Sequence, residues 1–122
     1  MGRSVNEVRL LGHVGKAPEM RTTNAKGVLV ANLSIATNER RKVDGSYIDH
    51  TEWHRITAFG KLAEVIRDYV KRGSQIYLEG RLRTESWDDN GTTRYSTFIV
   101  TEELILLDGK PVGAPAPPRG LV

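Results

Sequence analysis

The chain has 122 residues and a formal net charge of +3 at pH 7, from 18 lysines and arginines against 15 aspartates and glutamates. That length allows one domain with a modest core and leaves little room for a second. The absence of cysteine excludes disulfides and thiolate metal sites, and no apolar run reaches the roughly 18 residues of a membrane-spanning helix. The amino terminus enters alternating sequence without a signal-peptide pattern, so we expect a cytoplasmic protein without a membrane partner.

The first half of the chain predicts three strands. Alternation predicts the first strand in VNEVRLLGHVG, and β-branched residues predict the second in VLVANLSIATNE. A short extended piece is expected between them, near Met20 to Thr22. The third strand is TEWHRITAFG, and the Asp44-Gly45 turn signal joins it to the second in a hairpin with a long basic tip.

The second half predicts one helix followed by two long strands. In KLAEVIRDYVKRG the apolar residues recur at helical spacing, and Gly73 stands where a C-cap would. The alternating sequence that follows contains the Asn90-Gly91 hairpin signal. This order predicts an OB-fold, an all-β, five-stranded Greek-key barrel with a helix between the third and fourth strands. We assign residues 1–108 to that domain and the Pro/Gly-rich residues 109–122 to a disordered tail.

The third predicted strand divides its side chains into two chemically different sets. Ile56 and Ala58 suit a barrel interior, whereas burying Arg55 without a partner would be costly. Because successive side chains point to opposite faces, we expect the set that contains Arg55 outside: Trp53, Arg55, Thr57 and Phe59. At ~3.3 Å per residue, Trp53 and Phe59 stand about 20 Å apart along that surface.

The fourth predicted strand repeats this division. The inner set is expected to be small or aliphatic: Ile76, Leu78, Gly80 and Leu82. The outer set carries aromatic rings and cations, with two glutamates between them: Tyr77, Glu79, Arg81, Arg83, Glu85 and Trp87. Two separate strands are therefore expected to present aromatic residues and arginines to solvent.

Aromatic rings beside arginines suit single-stranded nucleic acid, which offers flat bases for stacking and phosphates for cations. A protein–protein interface is also enriched in Trp, Tyr and Arg, so the composition of the face favours nucleic acid and leaves both interpretations open. We expect four other aromatic residues to be packing residues: Tyr47, Tyr69, Tyr95 and Phe98. His54 is expected to be a satisfied buried or interface histidine.

Catalytic interpretations find little support in the sequence. It contains no G-x-S-x-G, H-E-x-x-H or P-loop motif, and its three histidines lack metal-ligand spacing. Asp88 and Asp89 stand beside the hairpin turn and suit turn formation better than metal binding. We therefore expect a protein that is not an enzyme and that needs no cofactor or metal.

Four blocks of the sequence together indicate a family: VNEVRLLGHVGKAPEMR, ANLSIATNE, TEWHRITAFGKLAE and YVKRGSQIYLEGRLRTESWDD, of which the last two are the specific ones. They resemble the bacterial single-stranded DNA-binding protein (SSB) family, from Val5 to about Ile105. The resemblance implies an OB-fold homotetramer that coats single-stranded DNA without sequence preference in DNA replication, recombination and repair, in the bacterial cytoplasm and associated with the nucleoid. It also implies that Trp53, Phe59 and Trp87 stack on bases.

The chain departs from that family in two respects. Arg40 and Arg41 stand where many members carry another aromatic, so we expect guanidinium stacking or phosphate contact there, and more salt-sensitive binding. The sequence ends in PPRGLV, without the acidic, apolar tip that recruits replication and repair proteins in the family. Either the chain has been shortened or it is a naturally tailless member, and such partners are expected only if a full-length acidic tail exists.

Six cationic residues are the expected contacts with the nucleic-acid backbone: Arg40, Arg41, Arg55, Lys61, Arg72 and Arg83. The outward Leu11 of the first strand favours a self-complementary contact between copies of the chain. An alternative function is an OB-fold module that recruits proteins, such as a primosome-type accessory factor, with weak binding of single-stranded DNA.

Overall fold

The computed structural model describes residues 2–23 and 26–107, so the predicted tail of residues 109–122 lies outside the described residues. The predicted long strands and the helix are all present. The short extended piece forms a strand of its own, paired with the next one. The elements are β1 (Val8–Val14), β2 (Glu19–Thr22), β3 (Leu29–Val43), β4 (Ser46–Phe59), α1 (Lys61–Tyr69), β5 (Gln75–Asp89) and β6 (Thr92–Leu106).

The sheet closes on itself into the predicted barrel. The strand order is β1-β5-β6-β4-β3-β2, and a further pairing of β1 with β3 joins the two ends. That closure is short, with Val14 opposite Ile35, and β4 meets β6 in parallel at Ile56 and Ile99. Five strands thus form the barrel while β2 flanks β3, and α1 lies between β4 and β5 in the chain. The predicted OB-fold is confirmed.

The barrel interior is aliphatic. Ile35, Ala58 and Leu78 are fully buried, and Ile56 is 2% exposed. Helix α1 adds Ala63 and Ile66 to the same cluster. No helix in the described part of the chain is long and apolar enough to cross a membrane. The core therefore comes from the inward set that alternation predicts on each long strand, together with one face of the helix.

Two hairpins continue beyond the barrel as two-stranded ribbons. The β3–β4 arm comprises residues 38–43 and 46–51, from the pair Asn38–Thr51 to the pair Val43–Ser46. The β5–β6 arm comprises residues 83–89 and 92–98, from the pair Arg83–Phe98 to the tip. Every residue of the β3–β4 arm is exposed, and most of the β5–β6 arm is exposed as well. Both faces of each arm therefore lie in water.

Several predicted buried or packing residues are exposed, most of them on or beside the arms and one on helix α1. Leu82 was expected inside the barrel but is 49% exposed, because the pairing of β1 with β5 ends at Val8 and Gly80. Beyond that point alternation continues, but the layer that would cover Leu82 has ended. The tyrosines expected to be packing residues are exposed as well: Tyr47 at 65%, Tyr69 at 64% and Tyr95 at 69%. Phe98, by contrast, is half-buried.

Candidate nucleic-acid interface

The predicted outward face of β4 is present at the surface of the barrel. Trp53 is 58% exposed and Phe59 is 40% exposed, with the exposed Arg55 between them. Thr57 shares this face but is 8% exposed, which contradicts its predicted exposure. Its Oγ1 donates a hydrogen bond of 2.9 Å to the side-chain oxygen of Asn32. Thr57 is therefore the satisfied polar floor of a depression rather than a contact point.

That depression is a groove of about 610 Å³ between β2, β4 and the base of the β5–β6 arm. Its walls combine cations with aromatic rings: Lys16, Arg21, Arg55, Phe59 and Phe98. The carboxylates of Glu19 and Glu85 also line it. The groove thus offers apolar surfaces for flat rings beside positive charge.

A second groove, of about 750 Å³, adjoins the first. It is lined by Trp53, Lys16 and Arg72, and it shares Lys16, Ala17 and Ser34 with the first groove. The two depressions therefore form one continuous surface. We call it the basic track, and define it by Lys16, Arg21, Trp53, Arg55, Phe59, Arg72 and Phe98.

The indole of Trp53 lies directly against the backbone of Gly15. A Cβ atom at position 15 would overlap the six-membered ring of Trp53, so only glycine allows this approach. The amide of Gly15 donates a hydrogen bond of 3.0 Å to the carbonyl oxygen of Ser34, which fixes the backbone beneath the ring. Trp53 is thus supported on one side while more than half of it stays exposed to solvent.

The β5–β6 arm extends the same surface outward. Trp87 is 49% exposed and lies opposite Arg94, while Arg83 lies opposite Phe98. Cross-strand partners share a face, so Trp87 and Arg83 lie on the side of the arm that borders the first groove. Arg83 approaches Glu85 at 3.8 Å, and Arg94 contacts Asp89 at 2.8 Å, both in exposed ion pairs of little energetic weight.

The β3–β4 arm separates the two neighbouring arginines that the sequence suggested. Arg40 lies on the face of Trp53 and forms an ion pair of 3.3 Å with Asp49, its cross-strand partner. Arg41 points to the opposite face, where its partner is Ile48 and where Glu39 lies 4.0 Å away. The opposite face of β4 also carries His50, whose hydrogen bond lowers the pKa of the Glu52 carboxyl.

The structure brings some of the predicted contact residues together and separates others. Trp53, Arg55, Phe59 and Arg72 meet on the basic track, and Arg40, Arg83 and Trp87 share its face further out on the arms. Lys61, the first residue of α1, lines neither groove, and Arg41 faces away. His54 is half-buried, with its Nε2 2.9 Å from the hydroxyl of Thr37, as expected of a satisfied histidine.

Sequence reasoning missed three residues of the basic track. Phe98 follows the alternation of β6 and lies opposite Arg83. The alternating pattern of β6 could therefore have predicted the face on which Phe98 lies. Lys16 and Arg21 carry no such signal. Lys16 follows β1, and Arg21 lies on β2, which reaches the groove only because it pairs with β3.

Comparisons with known proteins agree with this geometry. Residues 5–107 match the model of a family described as the single-strand binding protein family. The chain is 47% identical over 116 residues to single-stranded DNA-binding protein 1 of Chlorobaculum tepidum, covering 93% of this chain and 71% of that protein.

Two solved structures share the fold. One is a Plasmodium falciparum SSB complex with ssDNA, with a TM-score of 0.79, 32% identity, and coverage of 88% of this chain and 99% of that one. The other is a deletion mutant of the single-stranded DNA binding protein from Thermus aquaticus, with a TM-score of 0.77 and 28% identity. This second match covers 90% of this chain and 54% of the Thermus chain.

Proposed function

The chain belongs to the single-strand binding protein family, and we propose that it coats and protects single-stranded DNA during replication, recombination and repair. The observation that carries this proposal is the basic track, on which Trp53 is held against Gly15 beside Lys16 and Arg72. A supported, exposed indole next to cations suits a base and its neighbouring phosphates.

The proposed roles follow from the chemistry of each side chain. Trp53, Phe59 and Trp87 stack on bases, and stacking contributes about 1–3 kcal/mol per base. Four cations on the same face contact the phosphates: Arg40, Arg55, Arg72 and Arg83. Arg41 and Lys61 lie off the basic track, so they contact the DNA only where it leaves that track. Neither stacking nor phosphate contact distinguishes one base from another, so the binding is independent of sequence.

Self-association uses a different face of the barrel. Leu11 on β1, Tyr77 on β5 and Ile105 on β6 are successive cross-strand partners on the outer surface, with Leu11 46% and Ile105 50% exposed. The hydroxyl of Tyr77 donates a 2.6 Å hydrogen bond to Glu79, which raises the pKa of Tyr77. Such an apolar row on three strands supports a contact between copies of the chain and, with the family membership, a homotetramer.

Light scattering tests the assembly. We expect a mass of about four chains at micromolar concentration, and Leu11→Arg should lower it because a charge on the apolar row is costly to bury. A monomeric wild-type protein would contradict the proposed assembly.

The protein acts by binding rather than by catalysis in this proposal, in the cytoplasm and at the nucleoid. Replication and repair proteins join it only through a full-length acidic tail. The alternative function, a protein-recruiting OB module of the primosome type, would need little affinity for DNA.

A fluorescence titration separates the two functions. Adding poly-dT should strongly quench the emission of Trp53 and Trp87, with similar affinity for other base sequences and weaker affinity for duplex DNA. An unquenched signal with no measurable affinity for poly-dT would favour the alternative.

A further inference from the structure

An exposed tyrosine stands between two cations on the β3–β4 arm. Tyr47 is 65% exposed, and both the guanidinium carbon of Arg40 and the ammonium nitrogen of Lys42 lie 5.9 Å from the centre of its ring. Both distances lie just within the limit of about 6 Å for a cation–π contact. The basic track does not include this cluster, and the sequence pattern had suggested a packing residue instead.

The register of the arm places Tyr47 on the same face as Trp53. Tyr47 pairs with Lys42, Asp49 with Arg40, and Trp53 with Ala36, so these alternate positions point to one side of the ribbon. Tyr47 and Trp53 are six positions apart, which corresponds to about 20 Å along the strand. A nucleic-acid strand that leaves Trp53 along this face therefore reaches Tyr47.

The tip of the arm holds the cluster in place. Asp44 and Gly45 have φ values of 51° and 81°, the backbone conformation of a tight two-residue hairpin turn. Arg40 is further held by Asp49 at 3.3 Å, and Thr51 donates a hydrogen bond of 2.7 Å to Asn38 closer to the barrel. The register of the hairpin thus fixes the face on which Tyr47 lies, and only two rotatable side-chain bonds need to be ordered on binding.

We propose that Tyr47, Arg40 and Lys42 form an outer binding site for the same strand of DNA. Tyr47 stacks on a base, and the two cations contact the phosphates on either side of that base. The inference rests on the proposed function, since it extends the path of the bound strand. At 3.4 Å per stacked nucleotide, 20 Å adds on the order of six nucleotides beyond Trp53, and fewer if the strand is stretched.

A matched residue on the other arm serves as the control. Tyr95 is 69% exposed, but it pairs with Ser86 and lies on the opposite face from Trp87. Within residues 2–23 and 26–107, no cation lies over its ring. Tyr95→Ala removes an equally exposed tyrosine from the face that the strand does not follow.

The test compares wild type, Tyr47→Ala, Tyr47→Phe and Tyr95→Ala on a ladder of fluorescently labelled oligothymidylates, by anisotropy. We expect Tyr47→Ala to weaken binding of long oligomers by about fivefold to tenfold, the lower part of the range for loss of one stacked base. Binding of the shortest oligomers, which occupy only the basic track, should match wild type. Tyr47→Phe and Tyr95→Ala should match wild type at every length.

The outcomes that overturn the inference differ from those that overturn the proposed function. If wild type binds and Tyr47→Ala behaves like wild type at every length, or is weakened equally at every length, there is no outer site at Tyr47. A change in the mass of Tyr47→Ala by light scattering would assign the residue to a subunit contact instead. Failure of wild-type protein to bind any oligothymidylate would overturn the function itself.

Salt dependence gives an independent readout of the two cations. The double variant Arg40→Gln, Lys42→Gln should reduce the slope of log affinity against log salt by about 1.4 on long oligomers, at ~0.7 per lost phosphate contact. The slope on the shortest oligomers should not change. An unchanged slope on long oligomers would exclude phosphate contacts at this site.

Discussion

The barrel and its two arms use the same alternating pattern under different constraints. In the barrel, one side of each strand is sealed, so Ile56 is 2% exposed and only the outer face meets solvent. On the β3–β4 arm both sides lie in water, and Ile48 is 48% exposed. The backbone ladder from Asn38–Thr51 to Val43–Ser46 forms the arm, and exposed side-chain contacts such as Arg40–Asp49 add little to it. We therefore expect substitutions in the barrel interior to affect folding, and substitutions on the exposed arms to leave folding nearly unchanged.

The largest expected effect is on the free energy of unfolding, and it distinguishes the barrel from the arms. Ile56→Ala should lower the free energy of unfolding by about 2–5 kcal/mol, since it leaves a cavity in a packed core. Ile48→Ala removes the same groups from an exposed arm, so it should change the free energy of unfolding by less than about 0.5 kcal/mol. Urea unfolding at one fixed protein concentration measures both. Equal losses would mean that the arm is buried in the assembled protein.

Next in size is the loss of a stacking ring from the barrel's outer face. Trp53→Ala should weaken binding of single-stranded DNA by about 1–3 kcal/mol, because its exposed ring is the proposed partner of a base. Tyr69→Ala, on the helix and off the basic track, provides the control for loss of an exposed ring. A fall in thermal stability as large as that of Ile56→Ala, with binding retained, would show that the indole supports the fold instead.

A smaller effect tests the support beneath that ring. Gly15→Ala introduces a Cβ atom that overlaps the indole, so Trp53 must leave its position. We expect binding to weaken by about 1 kcal/mol, the lower end of the contribution of one stacked base. In a Trp53→Ala background the same change should have no further effect on binding. A full additional loss there would separate Gly15 from the action of Trp53.

The neighbouring residues Arg40 and Arg41, on opposite faces of the β3–β4 arm, should differ in their effect on the salt dependence of binding. Arg40→Gln should reduce the slope of log affinity against log salt by about 0.7, the value for one phosphate contact with a single strand. Arg41→Gln, on the opposite face, should leave the slope nearly unchanged. Titrations of a long oligothymidylate at several salt concentrations measure both. The reverse order would place the DNA on the other face of the arm.

The smallest expected effect lies on that opposite face. His50 lowers the pKa of Glu52 below its ordinary value of 4.5, so this pair stabilises the fold above that value and ceases to do so as the pH falls through the lowered pKa. His50→Ala should raise the pKa of Glu52 toward its ordinary value, measured by NMR titration of the carboxyl carbon. DNA affinity at neutral pH should not change. A weakened affinity would bring this face into the binding surface.

The alternation of side chains along each strand is what predicts both the barrel and about half of the candidate site. Where a strand has a sealed side, alternation identifies both faces, and this locates Trp53, Arg55 and Phe59. Where the barrel ends is decided by the pairing of β1 with β5 at Val8 and Gly80, which no local pattern contains. For that reason Leu82 was wrongly placed inside.

Long-range pairing also explains the residues that were missed. Arg21 reaches the basic track through the pairing of β2 with β3, and Lys16 follows the end of β1, which also pairs with β3. The local sequence of neither residue carries a sign of these pairings. Tyr47 was assigned to packing because nothing in the sequence shows that both faces of its arm are open. The role proposed for Tyr47 depends on register, which fixes the face that it shares with Trp53.

If the bound strand crosses the face that carries both tryptophans, each indole must respond to DNA. Since the chain contains two tryptophans, 5-fluorotryptophan labelling gives one fluorine resonance for each, assigned with Trp53→Phe and Trp87→Phe. Adding a saturating oligothymidylate should shift both resonances as the rings stack on bases. Tight binding that leaves both resonances unmoved would place the DNA elsewhere on the protein and contradict the account.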